Sequence, residues 1–544
     1  MKRTILTSVA VAAVSVVAYA QEYPAIPDGY DYEGVSDYFN QCLQGQVLDN
    51  YSVQPFDGGR FAVSHANAGD VSSAIWQLWV DANTSFSEQK LNNGKKLYQL
   101  SLSVQWSYDI PRALEPYIWD ISHPGDDGIR TYACMKYIFG SKGSLSGPAP
   151  MFINIHGSGP VADEWALAQQ VCRGDYDTPK IYFIAQIPNG GVANDGYSWY
   201  RWFHRSKQWV WEKVFRQAFL RSDIDHNGLY FVGISEGAYG SQRLGAFYAD
   251  YLAGIGPMAG GEPLTNAPAE NMRHVAFSLR TGAYDTSFSR HLFTAYAGTY
   301  LDELASRYPG DYPHNVIIEP GQTHTLNKYN DATTPWLMEY RRNPVPRHVC
   351  WENFAMDGRY RDGFYNLRVF ERSNTDEDSR GYYEMDIDDD NNVDIKVSTV
   401  YEKVLVWDES SARLPLYIEK NYAPATKGRF KVYLNDRLVD MGRPVTLTVN
   451  GVKLYEGMVT PTVEDIVNSI ADYYDPERIF TSSIEVDLSS MTAKAPVAGI
   501  DSVTADGDDA PVEYYNLQGI RVDNPVKGRL YIRRQGATAT RILM

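Results

Sequence analysis

The sequence predicts an α/β fold: a mostly parallel sheet flanked by helices, preceded by an irregular N-terminal region and followed by an all-β accessory domain. Three observations carry this. Between residues 126 and 343, β-branched runs alternate with helical stretches, the pattern of strands covered on both faces by helices. Within that span, Phe231-Val232-Gly233-Ile234-Ser235-Glu236-Gly237 runs a strand directly into a helix-forming stretch. After Asn343-Pro344-Val345-Pro346 the helical period stops, and short strands with turn residues continue to residue 488.

At the N-terminus, Lys2 and Arg3, the apolar run Ile5 to Val17 and the small-residue site Ala18-Tyr19-Ala20 read as a secretory signal peptide over residues 1–20. The expected location is therefore the periplasm, the cell surface or the medium. No later run is long and apolar enough for an integral membrane helix. Residues 21–125 are rich in Tyr and Trp, with strand-like segments at Ala74 to Val80 and Tyr98 to Trp106.

The strands expected in the sheet are Thr131 to Phe139, Met151 to Ile155, Ile181 to Gln186, Gly228 to Gly233, Leu252 to Met258, His274 to Thr281 and Asn315 to Glu319. Helices are expected at Lys207 to Leu220 and Ala238 to Tyr248, and Asp223 to Asn227 reads as a polar turn. In the accessory domain, 344–488, Asn450-Gly451 joins two strands as a tight hairpin. Residues 489–511 read as a linker and 512–544 as a further β segment. A chain of 544 residues is too long for one core. Acidic residues outnumber basic ones 67 to 50, which argues against nucleic acid as a partner. Four cysteines (Cys42, Cys134, Cys172, Cys350) allow three disulfide pairings and dictate none.

The chemistry concentrates at the carboxyl ends of the expected strands, where open α/β sheets place their sites. Gly233-Ile234-Ser235-Glu236-Gly237 is the pattern G-x-S-x-G, whose glycines let a strand turn into a helix so tightly that the serine is pushed out, Oγ exposed. The turn also aims the backbone N–H of Glu236 at the place where an oxyanion would develop. Serine needs a base and an orienting carboxylate, expected downstream in the order acid, then His. Asp285, just past the strand from His274, is the candidate acid, with Glu262 as runner-up. His324, in the Gly-containing loop Pro320-Gly321-Gln322-Thr323-His324, is the candidate base, ahead of His348 in the Pro-flanked join to the β domain. Upstream, Phe152 to Ile155 runs into His156-Gly157-Ser158-Gly159-Pro160, an H-G-x-G loop of the type found in lipases and esterases, and Gly157 or Ser158 is the candidate second oxyanion donor.

Through these motifs, residues 130–340 (HGSGP, GISEGAYGS, GPMAGGEP, RTGAYD, GQTHTLN) resemble secreted α/β-hydrolases of the esterase and prolyl-oligopeptidase-like kind found in Bacteroidetes. The stretch TTPWLMEYRRNPVPRHVCWENF and the hairpin PVTLTVNGVKLYEG are similar to the tail domain of such hydrolases. The resemblance implies triad roles for Ser235, Asp285 and His324. Two departures bear on rate and pocket shape: Glu236 follows the serine where Met or Ala is commoner, and Ala238 replaces a third elbow glycine. EYYNLQGIRV and GRLYIRR are similar to C-terminal segments of exported Bacteroidetes proteins, some of them sorting signals.

The expected function is hydrolysis of a carboxylic ester through an acyl-enzyme, on a small molecule or on feruloyl or acetyl groups of polysaccharide, with no metal or cofactor. Trp199 and Trp202, in the aromatic run after Gln186, are candidate substrate-stacking residues. The rivals are a serine peptidase with the same triad and a non-catalytic binding protein on the same fold. Against the peptidase, the region ahead of the sheet is too short for a propeller. Asp386 to Asp394 mimics the start of a calcium loop but lacks its central Gly and terminal Glu, so an acidic turn is expected there.

Overall fold

The computed structural model describes residues 32–45, 54–57, 62–88, 90–91, 98–100, 135–174, 179–187, 202–203, 205–324, 329–374, 376, 378–410, 412–495, 512–516, 521–522, 525–526, 530–535 and 538–543. The expected signal peptide lies outside the described residues. So do Cys134 and most of the segment expected as a linker.

Eight strands form the main sheet in the order β1-β2-β4-β3-β5-β6-β7-β8. They are β1 (Tyr98–Leu100), β2 (Met135–Lys142), β3 (Ala149–Ile155), β4 (Lys180–Ala185), β5 (Ile224–Ile234), β6 (Gly254–Met258), β7 (Ala276–Gly282) and β8 (His314–Glu319). The edge pairs β1–β2 and β2–β4 are antiparallel, and every later pair is parallel. Helices α1 (Glu33–Gly45) and α2 (Ala68–Ser85) precede it. The crossovers contain α3 (Val161–Gly174), α4 (Arg205–Phe219), α5 (Glu236–Phe247) and α6 (Arg290–Arg307), and α7 (Tyr329–Leu337) follows β8.

Strands buried on both faces send alternate residues to two cores. Met151, Ile153, Leu229 and Phe231 meet Trp211 and Phe215 of α4 and Leu244 of α5. Phe152, Tyr230, Val232 and Ile234 meet Leu337 of α7. The seven expected strands appear near their predicted places, the start of the first, Thr131 to Cys134, lying outside the described residues. Two expectations fail. Ala74 to Val80 belongs to α2, because Val71, Ile75 and Trp79, four residues apart, line one buried helical face. Asp223 to Asn227 is not a turn ahead of the strand: β5 starts at Ile224, and its polar residues form a bulge between the Ala149–Ile224 and Met151–Leu229 pairings.

Between residues 344 and 495 lie two further sheets. One has the order β10-β11-β15-β18-β19; the other is β17-β16-β13-β12-β9, with β14 added on β13. Their strands are β9 (His348–Asn353), β10 (Gly363–Phe364), β11 (Leu367–Glu371), β12 (Ser379–Ile387), β13 (Asn392–Trp407), β14 (Pro415–Pro424), β15 (Arg429–Leu434), β16 (Val445–Val449), β17 (Val452–Gly457), β18 (Ser482–Asp487) and β19 (Thr492–Lys494). The hairpin β16–β17 turns on Asn450 (φ 48°) and Gly451 (φ 79°), the positive φ pair that this turn demands. Asp388 to Asn391 forms the turn between β12 and β13. The region is not all-β as expected. Helix α8 (Val463–Tyr473) sits within it, capped by Thr462, whose hydroxyl accepts from the Asp465 N–H at 3.0 Å, and buried through Ile466, Val467, Ile470 and Tyr473. The strand-rich flanks masked that helical period. β19 extends a sheet into the expected linker, and β20 (Val512–Tyr515), β21 (Leu530–Gln535) and β22 (Thr538–Leu543) form a separate three-stranded sheet.

One buried cluster runs from Val35 through the main sheet to Leu488, so the β-rich region shares the core of the main sheet. A buried ion network crosses between them. Asp250, in the turn that follows α5, accepts from Arg478 at 2.5 Å and from Arg361, while Asp475 accepts from Arg342 at 2.6 Å and Arg478 at 2.9 Å. Burial would raise both carboxyls, but the facing guanidiniums outweigh it and hold both below the usual carboxylate range. Carboxyls depressed in this way add stability above their unfolded pKa, and that stability is lost as pH falls through the folded values. Arg478→Met is expected to lower unfolding free energy at neutral pH by about 3–5 kcal/mol. In urea titrations the gap to the parent protein should narrow as the solution is acidified.

Candidate active site

The sharp turn between β5 and α5 is built by backbone proximity. Ser235 has φ 57° and ψ −114°, a strained pose for a residue with a Cβ. A Cβ at Gly233 would lie 2.0 Å from the Gly237 carbonyl oxygen, and one at Gly237 would lie 2.2 Å from that of Ile155. Glycine is therefore required at both places. Ala238, where a third glycine is common, is accommodated from across the fold: its Cβ would sit 2.4 Å from a Cβ at residue 260, which is glycine.

The three predicted side chains meet. His324 Nε2 lies 3.0 Å from Ser235 Oγ, and its Nδ1 lies 2.6 Å from Asp285 Oδ2. With Asp285 ionised, Nδ1 donates to the carboxylate, which leaves the Nε2 lone pair to accept the serine proton. Asp285 is buried, its side chain 1% exposed, whereas that of His324 is 37% exposed and open to solvent. Burial would raise the Asp285 carboxyl, but the hydrogen bond from His324 and the charge of Arg290 bring it below the usual range. Two backbone bonds tie the acid loop to the histidine loop: Ala283 N–H to the Glu319 carbonyl at 2.9 Å and Tyr284 N–H to that of Gln322 at 2.8 Å. Gly282 makes this closeness feasible, since a Cβ there would stand 2.3 Å from the Thr323 carbonyl oxygen.

The rejected alternatives sit elsewhere. Glu262 is held by Arg243 at 2.8 Å and Asn266 at 2.9 Å, and His348 lies on β9, bonded to Asp386 at 2.6 Å.

Gly157 touches the serine: a Cβ on it would be 3.3 Å from Ser235 Cβ. His156, buried beside it, is a structural residue. Its Nδ1 lies 2.7 Å from the Gly157 carbonyl oxygen, and its Nε2 accepts from the Ile187 N–H at 3.0 Å. The ring is therefore neutral with its proton on Nδ1, and burial lowers its pKa to about 4. Holding the Gly157 carbonyl fixes the peptide plane whose other end is the Ser158 N–H. Glu236 opens α5, so its N–H belongs to the N-terminal turn, and its side chain is buried.

Trp202 is not a stacking residue. It is fully buried, donating from Nε1 to the His156 carbonyl at 2.9 Å and packing under Gly240 of the elbow helix. The elbow helix and the H-G-x-G loop need an apolar floor, and the tryptophan fills it. Trp199 lies outside the described residues.

Sequence reasoning missed three side chains here. Glu164, in the first turn of α3, presses on the H-G-x-G loop: a Cβ at Gly157 would meet its Oε2 at 2.9 Å. Burial raises its pKa, although its interaction with His324 works the other way. The one available signal was an acidic pair opening a helix directly after that loop. Arg290 donates to Asp285 Oδ1 at 2.9 Å and to the Tyr239 hydroxyl at 2.6 Å. Nothing in a single sequence marks either residue.

The arrangement of sheet, elbow and loop fits the α/β-hydrolase fold. No protein-family model and no curated protein matches the chain. Among solved structures it is similar to a thermostable esterase, at 15% identity and a TM-score of 0.28, over 38% of this chain and 60% of that one. It is similar to a ferulic acid esterase from the anaerobic fungus Anaeromyces mucronatus, at 15% identity and a TM-score of 0.27, over 37% and 84%. A protein from Bacteroides ovatus described as a dipeptidyl aminopeptidase IV is similar at 12% identity and a TM-score of 0.29, over 38% and 34%. The chain thus spans less than two thirds of the first and the last of these.

Two outcomes are expected. Gly237→Ala should lose at least about 3 kcal/mol of unfolding free energy, or fail to fold, because the added methyl meets a carbonyl that has no freedom to retreat. His156 titrates well below an unfolded histidine, so the unfolded chain binds the extra proton between pH 6.5 and about 4, and stability falls as pH falls through that window. In His156→Gln, denaturation curves across the window should lack this component, which is worth at most about 3 kcal/mol.

Proposed function

We propose that the protein is an exported carboxylic ester hydrolase working through a serine acyl-enzyme. The reading rests on one observation, the unbroken hydrogen-bond chain from Ser235 Oγ through His324 to the buried Asp285. Ser235 Oγ attacks the ester carbonyl while its proton passes to His324 Nε2. The resulting tetrahedral oxyanion is held by backbone N–H groups of Glu236 and of Gly157 or Ser158, each such donor being worth about 3 kcal/mol of barrier. Collapse expels the alcohol, which takes the proton back from His324, and leaves the acyl group on Ser235. Water, deprotonated by the same imidazole, then releases the acid and restores the serine. Asp285 keeps the imidazole in the required tautomer throughout. Export rests on the leader-like segment ending at Ala20.

The proposal is made at the level of the ester bond. A feruloyl or acetyl ester on polysaccharide drew its sequence support from export and from the aromatic loop that holds Trp199 and Trp202. Trp202, committed to the core, gives that reading no support, and Trp199 lies outside the described residues.

The test is turnover of p-nitrophenyl esters set against aminoacyl and dipeptidyl anilides, with mapping of the residue modified by a fluorophosphonate probe. Ester turnover with label on Ser235 is expected, and Ser235→Ala, folded as judged by circular dichroism, should lose turnover by on the order of 10⁴-fold or more. Anilide cleavage at comparable kcat/KM would move the reading to a peptidase. Absence of both turnover and label would move it to a binding protein.

A further inference from the structure

Arg290 has no part in the proton path, yet it is built into the triad from two sides. Asp285 divides its carboxylate: Oδ2 accepts from His324 Nδ1–H at 2.6 Å and Oδ1 accepts from an Arg290 N–H at 2.9 Å. The same guanidinium reaches from its Nε to the Tyr239 hydroxyl at 2.6 Å, on the helix that begins at the nucleophile. Its charge also lies 5.1 Å from the centre of the Phe288 ring. Arg290 and Asp285 are both almost wholly buried, so water screens their interaction little.

The turn that delivers the arginine is strained. Phe288 and Ser289 are consecutive non-glycine residues in the left-handed region, with φ 54° and 55°. That conformation brings the start of α6 back against the acid, five residues upstream. It is braced from the β-rich region: Ser289 Oγ donates to Asp408 Oδ2 at 2.9 Å, and Asp408 is itself held by the Leu414 N–H at 2.5 Å and the Ser410 N–H at 3.3 Å.

Resting on the triad reading above, we infer that Arg290 is a positioning residue that sets the pH range over which His324 can act as a base. By sharing the Asp285 carboxylate it withdraws negative charge that would otherwise stabilise the imidazolium, and through Tyr239 it holds the acid in register with the nucleophile helix. Among the described residues, Glu164 of α3 faces His324, Glu236 and Glu262 act on Tyr239, Arg243 pairs with Glu262 at 2.8 Å, and Asp408 holds Ser289 beside the arginine. With Glu262 paired to Arg243, Arg290 is the cation that bonds to the acid itself.

The test is the pH dependence of kcat/KM on a p-nitrophenyl ester for the parent protein, Arg290→Met and Arg290→Lys. With Met, the acidic limb is expected to move up by about one pH unit, leaving the enzyme about tenfold slower on the acid side. Lys, which keeps the charge, should bring the limb most of the way back. An acidic limb that stays in place in Arg290→Met, whatever happens to the plateau, overturns the inference, because a purely structural arginine would lower the rate at every pH alike. If Arg290→Met does not fold, Arg290→Gln, which is neutral but keeps a donor, takes its place with the same two outcomes.

A second readout does not need turnover. The Asp285 carboxyl, followed by carbon NMR, should titrate at higher pH in the neutral variant than in the parent, and an unchanged midpoint overturns the inference. Failure of the parent to take label on Ser235 sinks the hydrolase reading alone, since the carboxyl titration still decides the role of Arg290.

Discussion

The site depends on one contact that involves no side chain of its own chemistry: the elbow backbone at Gly237 lies against the carbonyl of Ile155, so close that a Cβ there would be 2.2 Å from the oxygen. That contact locks the end of β5 to the end of β3. Because Ile155 leads straight into His156 and Gly157, it also brings the second oxyanion candidate against Ser235 without any hinge between them. The strain in Ser235 is sustained by this closeness and by its N–H, which donates to the Met258 carbonyl on the neighbouring strand at 2.9 Å. His156 and Trp202 then act as supports from below: the ring fixes the Gly157–Ser158 peptide plane, and the indole fills the space beneath and donates to the His156 carbonyl.

Charge is organised by the same logic at two scales. Near the site, a buried carboxylate is divided between an imidazole and a guanidinium, so the acid orients the base without carrying an unpaired buried charge. Farther away, Asp250 and Asp475 interleave with Arg342, Arg361 and Arg478 and lock the β-rich region to the turn that ends the elbow helix. The β-rich region therefore reaches the site twice. It clamps the helix behind the nucleophile, and through Asp408 it braces the strained turn beside the acid.

What was legible from residues alone was what short-range geometry controls. Strands buried on both faces read as apolar runs, and the seven emerged near their expected places where bounding turn residues marked their ends. Gly233, Ser235 and Gly237 declared an elbow because only glycine tolerates that approach. Asp285 and His324 could be picked because each follows a recognisable strand end in the required order. The hairpin at Asn450-Gly451 was legible for the same reason, its φ angles being a property of two adjacent residues.

What the linear pattern could not contain depends on contacts between residues far apart in the chain. Ala74 to Val80 reads as a strand until α1 supplies a partner for a helical face, and α8 is hidden by strands on both sides of it. Trp202 looks like a pocket residue until the elbow helix is seen resting on it. The places of Arg290, Tyr239 and Glu164 follow from how α3, α5 and α6 dock on the sheet, an arrangement with no local signature. Short-range sterics and burial periodicity are written into neighbouring residues, and so the sequence specifies strands, elbow and the order of the acid and base. Charge sharing and packing against distant elements arise from the assembled geometry, and so they came into view only with the folded chain.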